Sequence, residues 1–129
     1  MPGLAGRRRR AERLDAAIAT ARRSPPPVHR GDLLTDLPAL AAQAPADATL
    51  VVYHSAVLAY VAPEDRERFA GTVRGLDVVW FSNEAPGVVP GVPLDDRDDG
   101  TFVLARDGRQ VLARTDGHGD WVEWLPDQV

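Results

Sequence analysis

The sequence predicts an α/β chain, a mainly parallel sheet that carries an antiparallel hairpin at its C-terminal end. Segments with helical periodicity alternate with short apolar runs, the pattern of strands joined by crossover helices. Two of those runs, Leu50-Val51-Val52-Tyr53 and Val78-Val79-Trp80-Phe81, are β-branched or aromatic and do not alternate with polar residues. Strands buried on both faces of a parallel sheet read this way. Near the end, Asp107-Gly108 separates two strand-like stretches, and Asp-Gly is the strongest short-range hairpin signal.

From Arg10 to Arg23 the residues Ala11, Leu14, Ile18 and Ala21 fall on one helical stripe, and Arg22 and Arg23 suit the negative end of the helix dipole. Pro25, Pro26 and Pro27 lack amide hydrogens and end that helix, leaving room for a short strand from Val28 to Arg30. Thr35 and Asp36 offer capping oxygens to a second helix bearing Leu37, Leu40, Ala41 and Ala44, with Pro38 in its first turn.

The strand Leu50 to Tyr53 follows, then Ala56 to Val61 as a short helix or turn. Pro63 opens a third helix with Glu64 and Asp65 at its positive end and Phe69 and Val73 toward the sheet. After the strand Val78 to Phe81, the stretch Ala85 to Gly100 is rich in proline, glycine and aspartate. It reads as a long, locally stiff loop of the kind that forms lids. Thr101 to Ala105 and Gln110 to Arg114 form the hairpin, and Trp121 to Leu125 is a last strand.

Composition bounds the function. With 129 residues, 44% hydrophobic and 26% charged, the chain has material for one small core. There is no cysteine and no apolar run long enough to span a membrane, so a cytoplasmic location is expected. All fifteen basic residues are arginine, the net charge is -4, and an acidic chain is not expected to bind nucleic acid. Four of the arginines, Arg7 to Arg10, have no apolar segment behind them and read as a solvated start rather than a secretory signal.

Ligands of open α/β sheets bind beyond the carboxyl ends of the strands. That rule selects Gly31 and Asp32, His54 and Ser55, and Ser82, Asn83 and Glu84. His54, Ser55, Asn83 and Glu84 form the candidate catalytic set, in which Asp32 or Glu84 has acid or base chemistry available to it. His54 and Ser55 are neighbours on a strand and point to opposite faces, so they do not form a dyad. A Gly-x-Ser-x-Gly elbow and a P-loop lysine are both missing, and His29, His54 and His118 lack metal-ligand spacing, so no metal site is expected. Trp80, Trp121 and Trp124 read as packing residues.

At Arg30-Gly31-Asp32-Leu33-Leu34, at Leu50-Val51-Val52-Tyr53-His54-Ser55-Ala56-Val57-Leu58-Ala59-Tyr60 and at Trp80-Phe81-Ser82-Asn83-Glu84, the chain resembles the bacterial family catalogued as domain of unknown function 2332. Glu12-Arg13-Leu14-Asp15-Ala16-Ala17-Ile18, Ala113-Arg114-Thr115-Asp116 and Gly117-His118-Gly119 look like it too. The resemblance implies an incomplete Rossmann-like sheet of the S-adenosylmethionine-dependent methyltransferase type. Gly31 and Asp32 would then bind cofactor, Asp32 beside the adenine, and His54 and Ser55 would lie beside the transferred methyl group. Family members are longer and carry a Gly-rich turn that is missing here, which implies a truncated C-terminal half, residues 10–129 after a disordered start at 1–9.

Three functions are therefore expected in descending order. The first is a methyltransferase-like half, inactive alone, of a protein that takes S-adenosylmethionine and a small-molecule substrate when intact. The second is a non-catalytic module that pairs with itself or with a separate first half through an open sheet edge. The third is a small hydrolase built on Glu84 or Asp32 with His54.

Overall fold

The structure, a computed structural model, describes residues 4–93 and 100–125. The chain divides into two compact units, Met1–Arg30 and Gly31–Val129.

In the first unit a single helix, α1, spans Leu4–Arg23 and so begins six residues before Arg10. An exposed ion pair joins Arg8 to Glu12 one turn on, and Thr20 Oγ1 donates to the Ala16 carbonyl at 3.0 Å. The helix stops at Ser24, ahead of the three prolines. The strand expected from Val28 to Arg30 does not form; these residues are irregular and Val28 is 90% exposed. Extended backbone becomes a strand only when a neighbour pairs with it.

The second unit opens with a five-residue helix, α2 (Leu37–Ala41), carrying proline in its first turn. Strand β1 (Val51–Ser55), a 3-10 turn (Leu58–Tyr60), helix α3 (Pro63–Arg74) and strand β2 (Val79–Glu84) follow. Three further strands, β3 (Thr101–Arg106), β4 (Gln110–Asp116) and β5 (Val122–Trp124), complete the order. The sheet runs β1-β2-β3-β4-β5, each strand beside its neighbour in sequence.

The sheet is mixed, and this corrects the expected mainly parallel, Rossmann-like sheet. Only β1 and β2 are parallel, whereas β2–β3, β3–β4 and β4–β5 are antiparallel. The reason is connectivity. A parallel neighbour needs a crossover of a dozen or more residues, and α3 is the one that links two strands. With Val28 to Arg30 outside the sheet, α2 crosses between no strands. The link from β2 to β3, residues 85–100, is long but carries no helix among the described residues, and the β3–β4 and β4–β5 links are short, so the strands after β2 meander.

One face of the sheet carries the core. Phe69, Ala70 and Val73 of α3 pack with Leu58, Trp80, Val88 and Val89. Glu64 and Asp65 sit in the first turn of α3 and Arg74 in its last, as its dipole favours. Val88 and Val89 belong to the loop expected as a lid, so its first part is packed as core. The acidic run Asp95, Asp96, Asp98 and Asp99 lies outside the described residues.

The β3–β4 hairpin turns on Asp107 and Gly108, with φ of 53° and 63°. Two successive positive φ values define a type I′ turn, whose twist matches that of the flanking strands. Trp80 holds this turn from both sides: its N–H donates to Asp107 Oδ1 at 3.0 Å, and its carbonyl accepts from the Asp107 amide at 2.7 Å.

Candidate functional site

Strands β1 and β2 run further than their apolar residues predict. They continue through His54-Ser55 and Ser82-Asn83-Glu84, which therefore lie inside the ladder rather than in loops beyond it. Register pairs His54 with Ser82 and Ser55 with Asn83. Because side chains alternate across a strand, the expected rim is split by the pleat into two clusters. His54, Ser82 and Glu84 turn toward the core, whereas Ser55 and Asn83 turn to the other face.

The core cluster is built around Glu84, a buried carboxylate at the end of β2. Its Oε1 accepts from His54 Nδ1 at 2.8 Å, the Val57 amide at 2.8 Å and the Leu58 amide at 3.0 Å. The two amides open the 3-10 turn that leads from β1 toward α3, so Glu84 anchors the crossover to the sheet. Burial pushes the Glu84 pKa up, but hydrogen bonds from His54, Leu58 and Val57 outweigh it and hold the carboxyl below the usual glutamate range. Among the described residues, Glu84 Oε2 and Ser82 Oγ are buried without a hydrogen-bond partner.

His54 is fixed from its other side as well. Trp80 Nε1 donates to His54 Nε2 at 3.0 Å, and an indole N–H can only donate. Nε2 is thus an acceptor and Nδ1 carries the hydrogen that faces Glu84. Phe69 meets the imidazole edge-on at 5.5 Å and Trp80 edge-on at 5.9 Å, which closes an aromatic cage. Both ring nitrogens are thus engaged in hydrogen bonds. Long-range nitrogen–proton correlation spectra of His54 are expected to place the hydrogen on Nδ1 at neutral pH. An Nε2–H spectrum would overturn this assignment.

On the opposite face, Asn83 Nδ2 donates to Ser55 Oγ at 3.1 Å, and Asn83 Oδ1 accepts from Thr115 Oγ1 at 2.7 Å. The amide spans β3 to tie β1 and β2 to β4. Ser55 and His54 do not meet, as expected of strand neighbours.

Gly31 and Asp32 remain in a local turn. Asp32 Oδ1 accepts the Leu34 amide at 2.7 Å, and the Asp32 amide donates to Asp36 Oδ2 at 2.8 Å. A Cβ on Gly31 would lie 2.6 Å from that Asp36 oxygen, which explains the glycine. The Asp36 carboxyl is held below its ordinary range, first by the Asp32 amide and second by Thr35. These contacts are those of a turn that starts α2, and the Asp32 carboxylate is already committed to it.

Trp80 and Thr115 were not in the expected site. For Trp80 a signal existed: Trp80, Ser82 and Glu84 share a period of two, so a tryptophan on the face of two polar residues is a partner for one of them. Thr115 had none, because its contact with Asn83 crosses 32 residues.

A cleft of about 240 Å3 opens at the other end of β2, lined by Val73, Arg74, Leu76, Val78, Trp80, Asp107 and Arg109. It holds none of the sequence-predicted residues. Arg74 stands over the Trp80 ring at 5.7 Å and donates to the carbonyls of Pro90 and Gly108, joining α3, the loop after β2 and the hairpin turn. Among the described residues no group of histidines and carboxylates is placed to hold a metal, and no helix is long and apolar enough to cross a membrane.

The family profile described as "Uncharacterized protein conserved in bacteria (DUF2332)" matches residues 5–124. No curated protein and no solved structure matches the chain. The profile covers both unit 1 helix and unit 2 sheet, and it brings no activity with it. With the match running from helix α1 to strand β5, the chain belongs to this family of proteins conserved in bacteria.

Proposed function

We propose that the chain is a non-catalytic interaction module that pairs with a second copy of itself through strand β1. The observation that carries this reading is the state of the sheet edge. Strand β1, Val-Val-Tyr-His-Ser, has no strand on its outer side among the described residues, and it carries no proline, lysine, carboxylate or bulge. These are the devices by which sheet edges are kept from pairing. Val51 and Tyr53 are 50% and 62% exposed on the face away from α3.

The polar clusters support the same reading. His54, Glu84, Ser55 and Asn83 are engaged with one another, with Trp80 and Thr115, or with backbone amides. They brace β1 as a rigid edge. An antiparallel β1–β1 pair about a twofold axis centres on Tyr53, sets Val51 opposite the partner's Ser55 and makes one continuous sheet from two copies.

Sedimentation velocity of the full chain tests it. A dimer is expected at micromolar concentration, and Tyr53→Lys, which sets two like charges opposite one another on exposed positions, is expected to give a monomer with an unchanged circular dichroism spectrum. A wild-type monomer at roughly 200 micromolar, a concentration at which even weak interfaces form, would sink the reading. So would a dimer that survives Tyr53→Lys.

A further inference from the structure

The charge of the chain is divided between its two units, which the net value of -4 hides. Helix α1 holds seven arginines, Arg7, Arg8, Arg9, Arg10, Arg13, Arg22 and Arg23, against Glu12 and Asp15. Residues 31–129 hold seven arginines against seventeen acids. A whole-chain average therefore describes neither unit.

We propose that α1 is a binding site for duplex DNA that enters the major groove and neutralises phosphates on both its walls. Every residue from Arg7 to Arg23 is exposed, including Leu14 at 60% and Ile18 at 39%. At 3.6 residues per turn the four consecutive side chains Arg7 to Arg10 stand about 100° apart and encircle the axis. A flat acidic protein surface meets one side of a helix. The major groove, about 12 Å wide, admits a helix and presents phosphates on both sides of it.

A bilayer fits less well, because an interfacial helix needs a broad apolar face with its charges opposite. Here the apolar stripe of Ala11, Leu14, Ile18 and Ala21 is narrow, and the arginines lie all round it. The Arg8–Glu12 pair is exposed at 85% and 67% and costs little to exchange for a phosphate. Duplex RNA has a deep, narrow major groove that excludes a helix. The acidic second unit repels phosphate, so the affinity is set by α1 and is steeply dependent on salt.

This inference is independent of the β1 pairing. The test is fluorescence anisotropy of the full chain with a 20-base-pair random-sequence DNA duplex, the matching RNA duplex, and vesicles of phosphatidylcholine with phosphatidylglycerol. With four phosphates neutralised, DNA affinity is expected to fall roughly a hundredfold between 50 and 200 mM salt. The variant R7Q/R8Q/R9Q/R10Q, which keeps good helix formers, is expected to lose DNA binding at 50 mM salt with unchanged circular dichroism. No DNA binding at 50 mM salt, equal binding by the variant, equal affinity for the RNA duplex, or tighter binding to the vesicles each overturns the proposal.

Discussion

Glu84→Ala is expected to destabilise the second unit by about 3–5 kcal/mol, the range for removing one partner from a buried charged network. The substitution leaves the His54 Nδ1–H and the Val57 and Leu58 amides without their acceptor, and opens space in the core. Unsatisfied buried donors are costly because they lose water and gain nothing. Glu84→Gln keeps the shape and one acceptor oxygen but adds a buried N–H₂ group where Oε2 has no partner, so a smaller loss, about 1–2 kcal/mol, is expected. Urea midpoints at neutral pH check both values, and an unchanged midpoint for Glu84→Ala would refute the anchoring role. The pH dependence has a definite sign. A carboxyl with a lowered folded pKa contributes stability that is fully present above its unfolded pKa and is lost as pH falls through the folded value. Wild type is therefore expected to weaken on acidification below the ordinary glutamate range, and Glu84→Gln to lack that component.

Gly108→Ala is expected to cost about 2–4 kcal/mol, a left-handed backbone term of about 1 plus the overpacking of a filled site. Gly108 has φ of +63°, and a Cβ there would lie 2.6 Å from Trp80 Cζ3 and 2.7 Å from Arg74 Nη2. Trp80 is 1% exposed and held at its backbone and its indole N–H, so shifting its ring strains those hydrogen bonds. Two other glycines separate the terms. Gly119, with φ of +80° and no atom within 4 Å of an added Cβ, is expected to lose only the left-handed term, about 1 kcal/mol. Gly71, inside α3 with open space around it, is expected to gain up to about 1 kcal/mol as alanine. Thermal or urea unfolding of the three variants gives the ranking, and a Gly108→Ala loss no larger than that of Gly119→Ala would dismiss the Trp80 contact as a constraint.

The two sets of variants probe one structure. Trp80 joins the Glu84–His54 network to the hairpin turn, through its indole N–H on one side and its main chain on the other. Arg74 adds a third tie, from the end of α3 to the same turn. The second unit is thus cross-braced at both ends of β2, which is what an edge strand requires if it is to present a fixed template to another chain.

Local signals in the sequence carry much of the chain. The stripe of Ala11, Leu14, Ile18 and Ala21 and the triple proline mark α1 and its end, and Pro63 with Glu64 and Asp65 marks the start of α3. Asp107-Gly108 marks the hairpin, because only a few residue pairs tolerate two positive φ values in succession. The apolar runs mark β1 and β2 but not where they end. Polar residues stop a strand only where nothing pairs with them, and the partners of Glu84 are 26 to 30 residues away.

The sequence by itself determined the helices and the five strands that form, which residue types gather near the ends of β1 and β2, and the division between a basic start and an acidic remainder. The tertiary structure alone decided three things: that one pair of strands is parallel, that Val28 to Arg30 stays outside the sheet, and that the pleat sends Glu84 and His54 inward while Ser55 and Asn83 face the other way. Propensity and periodicity act over a few neighbouring residues. Strand order, register and hydrogen bonds between distant side chains exist only once the chain has closed on itself, so the single polar rim expected from the sequence is two networks on opposite faces of a sheet.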